Sequence, residues 1–195
     1  MPPSSRPSDV RERILATAAS LFYEQGARAV GIDLVIERAK VAKASLYRHF
    51  ATKDDLVAAF LELEDADFWR TWDAVAAEHA GDPAAELEAH ARWIAERLAR
   101  PGYRGCPQLN VAAEFADPNH PARRVAVDHK RRMRARLRSS AELLEVADPD
   151  QLAGQLTVLF NGAFVSSGVI DAGEAEALLV MAVRALAAGS ARRGA

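Results

Sequence analysis

The sequence has a single cysteine, Cys106, which rules out an intrachain disulfide and a cysteine-built metal cluster. It also has no long apolar run. Stretches such as Leu178 to Val183 fall far short of the ~20 residues a membrane span needs, so no membrane partner is expected. Residues 1–7 lack the apolar core of a signal peptide, and a cytoplasmic location is expected. The formal net charge of −2 excludes a uniformly basic coat for nucleic acid. Its distribution is only mildly uneven, with nine Lys/Arg against seven Asp/Glu in residues 1–60.

Chemistry-bearing motifs are equally scarce. His79, His90, His120 and His129 fall on separate elements with neither H-x-x-x-H nor C-x-x-C spacing, so no metal and no cofactor is expected. The chain has no nucleophile elbow, phosphate loop or paired-carboxylate motif, and neither catalytic residues nor an enzymatic activity is expected. Alternating strand patterns are rare and internal repeats are absent.

What the chain does have is helical periodicity. Apolar residues recur at three- and four-residue spacing, as in Ile14, Ala18, Leu21 and Phe22, or Leu56, Phe60 and Leu63, which predicts an all-α fold. Gly26 ends a first helix begun near Ser8, and further breaks fall at Gly81-Asp82-Pro83, Pro101 to Pro107, Asp117 to Pro121, Asp148-Pro149 and Asp171-Ala172-Gly173. About nine helices result: three short ones in the first ~50 residues and six mostly longer ones after them. The Ala/Gly/Arg tail from Gly189 is expected to be disordered.

The most informative stretch runs from Gly31 to Phe60. Ile32, Val35, Ile36 and Ala39 give one short helix an apolar face; Val41, Leu46 and Phe50 do the same for a second, with Ala39-Lys40-Val41 as the turn between. This is the pattern of a helix-turn-helix. With those residues turned inward, the second helix presents Lys43, Ala44, Ser45, Tyr47, Arg48 and His49. Cations and hydroxyls suit phosphates, and small side chains let a helix sink into a major groove. Thr52-Lys53-Asp54-Asp55 fits a capping box, and a cation at a helix N-terminus, as Lys53 is, points to an external anion such as a DNA phosphate.

The segment ERAKVAKASLYRHFATKDDL, residues 37–56, resembles the TetR/AcrR family signature around its recognition helix and the start of its fourth helix, and the likeness extends over roughly residues 9–60. By that resemblance Lys43, Ala44 and Ser45 are groove-facing, Tyr47, His49 and Lys53 hold backbone phosphates, and Arg48 serves either role. The chain departs from the family pattern at Val30, where Thr is usual, and at Lys40 and Ala42, which replace the turn Gly and the cap Ser. Two hydroxyls that commonly touch phosphate are therefore missing, and Lys40 supplies a cation in their place.

Beyond Leu56 the candidates are of a different kind. Phe60, Leu63, Phe68, Trp72, Trp93, Leu109, Phe160 and Phe164, with the polar Asp67, Asn110 and Glu114, are candidate walls of a ligand pocket between helices, and each apolar one is equally what a helical core requires. Cys106 to Phe115 resembles a GC-x-x-x-N-x-A-x-E segment of a subgroup of TetR-like regulators. That resemblance puts it in the sixth helix, which in the family often links pocket to DNA-binding domain. Asn110 and Glu114 share a face there, and an unpaired carboxylate among apolar neighbours is costly, so Glu114 requires either a protein partner or a ligand group. Lys130 to Arg138 packs six cations into nine residues, leaving only a narrow apolar stripe at Met133 and Leu137, with the small Ala135, free of charge. A solvated face and a site for an anionic ligand both fit that run.

The last two helices carry Leu152, Leu156, Leu159 and Ala163, then Leu178, Met181, Ala182 and Ala185. The resemblance implies that they pair with their copies in a four-helix dimer interface. The expected organisation is a helix-turn-helix domain over residues 1–55 and a ligand-binding and dimerisation domain over residues 56–195. The implied partners are operator DNA, a second copy of the chain and a small-molecule effector, with repression relieved by that effector. The alternative is a helical ligand- or partner-binding protein whose helix-turn-helix is vestigial, for which Val30, Lys40 and Ala42 speak.

Overall fold

The computed structural model describes residues 7–190, and among them it contains nine helices and no strand. In chain order these are α1 (Pro7–Gln25), α2 (Ile32–Ala39), α3 (Lys43–His49), α4 (Lys53–Glu78), α5 (Pro83–Leu98), α6 (Pro107–Glu114), α7 (Pro121–Leu143), α8 (Pro149–Val165) and α9 (Ala172–Gly189). The first helix is not short: it runs for 19 residues, because one apolar stripe continues unbroken from Ile14 to Phe22. It ends at Gly26, whose φ of 93° favours glycine and whose N–H bonds the Phe22 carbonyl at 3.0 Å. Asp82, Asp148 and Asp171 cap α5, α8 and α9 with their carboxylates, so three of the expected breaks are also helix starts. The tail expected to be disordered lies outside the described residues beyond Ser190, and Gly189 belongs to α9.

The chain divides into two compact units: residues up to Ala66 with Pro107–Asp128, and Asp67–Cys106 with His129 onward. This differs from a boundary after residue 55. The reason lies in burial: Phe60, Leu61, Val111, Ala122 and Ala126 join Ile14, Phe22, Val35, Leu46, Phe50 and Leu56 in one apolar core, so α6 and the start of α7 belong with α1–α3. Each of the larger side chains contributes about 1.5–3 kcal/mol by leaving water.

In the second unit α5 packs mainly along α9, and α8 packs on both. Its interior holds Leu87, Ile94, Met133, Leu137, Leu152, Leu156, Phe160 and Val183, all nearly solvent-free. Phe68 is the hub of an aromatic cluster, with ring centroids 5.7 Å from Trp72, 4.9 Å from Trp93, 4.6 Å from His129 and 6.3 Å from Phe164. Among the described residues no helix is long and apolar enough to cross a membrane, and no cluster of three or more His, Cys, Asp or Glu could hold a metal ion.

Candidate functional site

The site begins at the turn between α2 and α3. Lys40 closes α2 in the left-handed region, with φ 53° and ψ 51°, where a residue with a Cβ is strained by about 1–2 kcal/mol. Leu46 and Phe50 then anchor α3 in the first unit's core. Lys43, Ala44, Tyr47 and Arg48 are left exposed, with Ser45 and His49 half-buried on the same short helix. Lys43 Nζ lies 3.2 Å from Asp33 Oδ1, but both side chains are well exposed and such pairs are worth little. Arg48 donates to Ser45 Oγ at 3.3 Å. Val30 is buried, and neither Gly31 nor Ala42 offers a side-chain cap to its helix, so the hydroxyls missing from the sequence are not replaced locally.

The capping box forms as expected: the Asp55 N–H donates to Thr52 Oγ1 at 3.0 Å, and Asp55 Oδ2 accepts from the Thr52 N–H at 3.0 Å. Lys53, however, has an internal partner. Its Nζ donates to the Arg28 carbonyl at 3.1 Å, and burial pushes its ammonium below the ordinary lysine range against the opposing pull of Asp54 and Glu114. Two of its three protons remain available to an outside anion.

Glu114 has a protein partner. Its Oε2 accepts the Arg28 backbone N–H at 2.6 Å, and the Arg28 guanidinium donates to the Glu114 carbonyl at 3.1 Å. The end of α6 is secured further by Arg123 Nη1, which donates to the carbonyls of Ala112 and Phe115 at 2.6 and 2.8 Å. His120 stacks on Phe115 with centroids 4.0 Å apart and sits 3.3 Å from Asp54. Arg28 and Arg123 had no motif around them to flag these roles.

The candidate pocket residues do not all come together. Phe60, Leu63, Leu109, Asn110 and Glu114 belong to the first unit, whereas Asp67, Phe68, Trp72, Trp93, Phe160 and Phe164 belong to the second. Phe60 is core, edge-on to Phe22 at 6.0 Å, while Leu63 is exposed. Asp67 points away from the aromatic cluster as an exposed residue paired with Arg70, a turn along the same helix. The second unit does gather Phe68, Trp72, Trp93 and Phe164. His90 stacks on Trp72 at 3.7 Å, its Nε2 3.5 Å from Glu86 Oε1. Burial holds the His90 imidazole below its ordinary range, outweighing Glu86; the same contact, with Ser140 donating at 3.0 Å, holds the Glu86 carboxyl low.

For the expected dimer helices the structure makes a correction. Leu152 and Leu156 are fully buried within the protomer and so are not presented to a second copy, whereas Ala163, nearly buried, lines the floor of a surface groove. Leu159 and Ala182 are half-buried, and Leu178, Met181 and Ala185 are exposed. Val158 and Val165, 74% and 61% exposed, were missing from the candidates. An apolar groove of about 360 Å³ runs here, lined by Leu98, Val158, Gly162, Ala175, Leu178 and Ala182 among others.

Residues 14–60 match the family described as bacterial regulatory proteins, tetR family, and residues 83–183 match the tetracyclin repressor-like C-terminal domain. The transcriptional regulator AcuR of Cereibacter sphaeroides is 31% identical over 150 residues, covering 73% of this chain and 68% of that protein. The HTH-type transcriptional repressor NemR of Escherichia coli strain K12 is 25% identical over 163 residues, covering 80% and 82%. Among solved structures, a TetR-family transcriptional regulator from Streptomyces coelicolor superposes with a TM-score of 0.89 at 30% identity, over 95% of this chain and 97% of that one.

Proposed function

The chain belongs to the tetR family of bacterial regulatory proteins, and from that premise we propose that it is a cytoplasmic repressor released from a palindromic operator by a small-molecule effector. The supporting observation is α3: a helix anchored by two buried apolar residues, with small and cationic side chains on its free face. In this reading Lys43, Ala44 and Ser45 approach base edges in the major groove. Tyr47, Arg48, His49 and Lys53 hold phosphates, and Lys40 adds a cation at the turn.

The dimer proposed here uses the face of α8 and α9 that carries Val158, Val165, Leu178, Met181 and Ala185, and not Leu152 or Leu156. Two recognition helices about 34 Å apart then meet successive major grooves. An effector acts only through its preference for a state whose reading heads no longer match that spacing. The bonds joining Arg28 to Glu114 and to Lys53 tie α6 to the reading head within the first unit, which suits α6 for carrying that change.

A gel shift of the protein on DNA upstream of its own gene tests the reading. Tyr47→Ala should weaken specific and random DNA by a similar factor, whereas Ala44→Glu should abolish the specific complex by putting a carboxylate in the groove. A protein that binds that DNA no better than random sequence would contradict the reading.

A further inference from the structure

The basic run on α7 is not uniform. Arg131, Arg132, Arg134, Arg136 and Arg138 are exposed, and Met133 and Leu137 are the stripe that turns inward, as a solvated helix face requires. Lys130 breaks the pattern. Its Nζ is shut off from solvent with no oxygen or nitrogen acceptor bonded to it among the described residues, the Cys106 thiol being the one polar group that favours its charge, and it lies 4.8 Å from the centroid of the Phe164 ring. Arg97, in the last turn of α5, is a second such cation. Its Nε is buried and unmatched too, and its guanidinium lies 5.4 Å from the Trp93 centroid and 6.0 Å from that of Phe68. With the Phe68 and Phe164 rings 6.3 Å apart, both cations border one aromatic cluster inside the second unit.

The magnitudes do not balance as the molecule stands. A ring face returns to a cation only a part of what taking that cation out of water costs. Burial accordingly drives the Lys130 ammonium below its ordinary range and Arg97 adds to that push; the opposing influence comes from Cys106, with no carboxylate acting among the described residues. Arginine cannot shed its proton, so the site retains positive charge. A singly charged anion matches one permanent cation and one weakened one better than a dianion, and the aromatic surroundings call for an apolar body.

We propose that this corner is the recognition site for the carboxylate of the effector, with Lys130 and Arg97 holding the head and Phe68, Trp93 and Phe164 taking the body. The assignment rests on reading the chain as an effector-responsive regulator, and it adds the effector's chemical class. It also explains why one lysine of a solvated run is turned inward at a cost in stability.

The test is thermal unfolding of the full chain at fixed ionic strength with butyrate, benzoate and cinnamate, each paired with its amide, and with phenyl phosphate. At least one carboxylate should raise Tm by about 5 °C or more when present about a hundredfold above its dissociation constant, with no such rise for its amide. Lys130→Met should melt no lower than the parent without ligand, since it removes an unmatched charge, and should bind that carboxylate about 10- to 100-fold more weakly. Arg97→Met provides the same affinity readout should Lys130→Met fail to fold. Carboxylates that protect no better than their amides, a phenyl phosphate shift exceeding theirs, or undiminished binding in the variants would each overturn the proposal. A gel shift on the same samples separates the two layers: a parent protein that ignores its upstream DNA defeats the regulator reading, while the melting data still judge the anion site.

Discussion

At the residue scale the structure sorts side chains that looked alike in sequence. Lys40, Lys43 and Lys53 were three cations near a turn, yet one sits in a left-handed conformation, one on an exposed ion pair and one on a backbone carbonyl. Lys40→Gly should relieve the left-handed strain and raise Tm by roughly 2–4 °C, readable by calorimetry, while weakening DNA binding if Lys40 reaches phosphate. Lys53→Ala should lower the salt slope of DNA binding by about one unit, because two ammonium protons are left for a phosphate after the Arg28 carbonyl takes one. His90 and Glu86 give a pH dependence of definite sign. Both are held below their ordinary range in the folded state, so the unfolded chain binds protons more readily and stability is greatest near neutrality. It should drain as pH falls below about 6.5 through His90, and again below about 4.5 through Glu86. Melting curves at pH 7.5, 6 and 5 should show a slope that His90→Gln flattens in the upper half of that range.

At the element scale, most of the helices could be read from punctuation: Gly26, Asp82-Pro83, Asp148-Pro149 and Asp171 act locally, through backbone conformation and capping, and local signals survive in a sequence. The capping box before α4 was legible for the same reason. Which face of a helix meets what is a tertiary property, and there the reading failed. Leu156 and Met181 are both apolar residues of the last two helices, but one is wholly buried and the other 64% exposed. Leu156→Glu is therefore expected to abolish folding, whereas Met181→Glu should leave Tm of the protomer nearly unchanged and yield monomers in sedimentation at micromolar concentration. Glu114 shows the same limit: its spacing announced a carboxylate in need of a partner, but only the fold reveals that Arg28, 86 residues away in sequence, supplies it. Glu114→Ala should cost about 1–3 kcal/mol and weaken DNA binding with no effector present. That outcome separates a positioning role from ligand recognition.

At the scale of the whole molecule, the family and the helix-turn-helix were legible because α2, α3 and the start of α4 form one contiguous stretch. The proposed anion site was legible only in pieces: Phe68, Trp93, Phe164 and the basic run holding Lys130 stood out, but Arg97 carries no motif, and that these residues from four helices meet is a property of the fold. Affinity for an operator depends on two such chains held at a fixed spacing, since one short helix in one groove buries too little surface for tight specific binding. Footprinting of the purified protein on DNA upstream of its own gene, at stated salt, tests the central claim most directly. The expected result is protection of two inverted half-sites whose centres lie about one helical turn, roughly 34 Å, apart, lost in Ala44→Glu and in Met181→Glu alike. Protection of a single unpaired site, or none beyond that of random DNA, would contradict it.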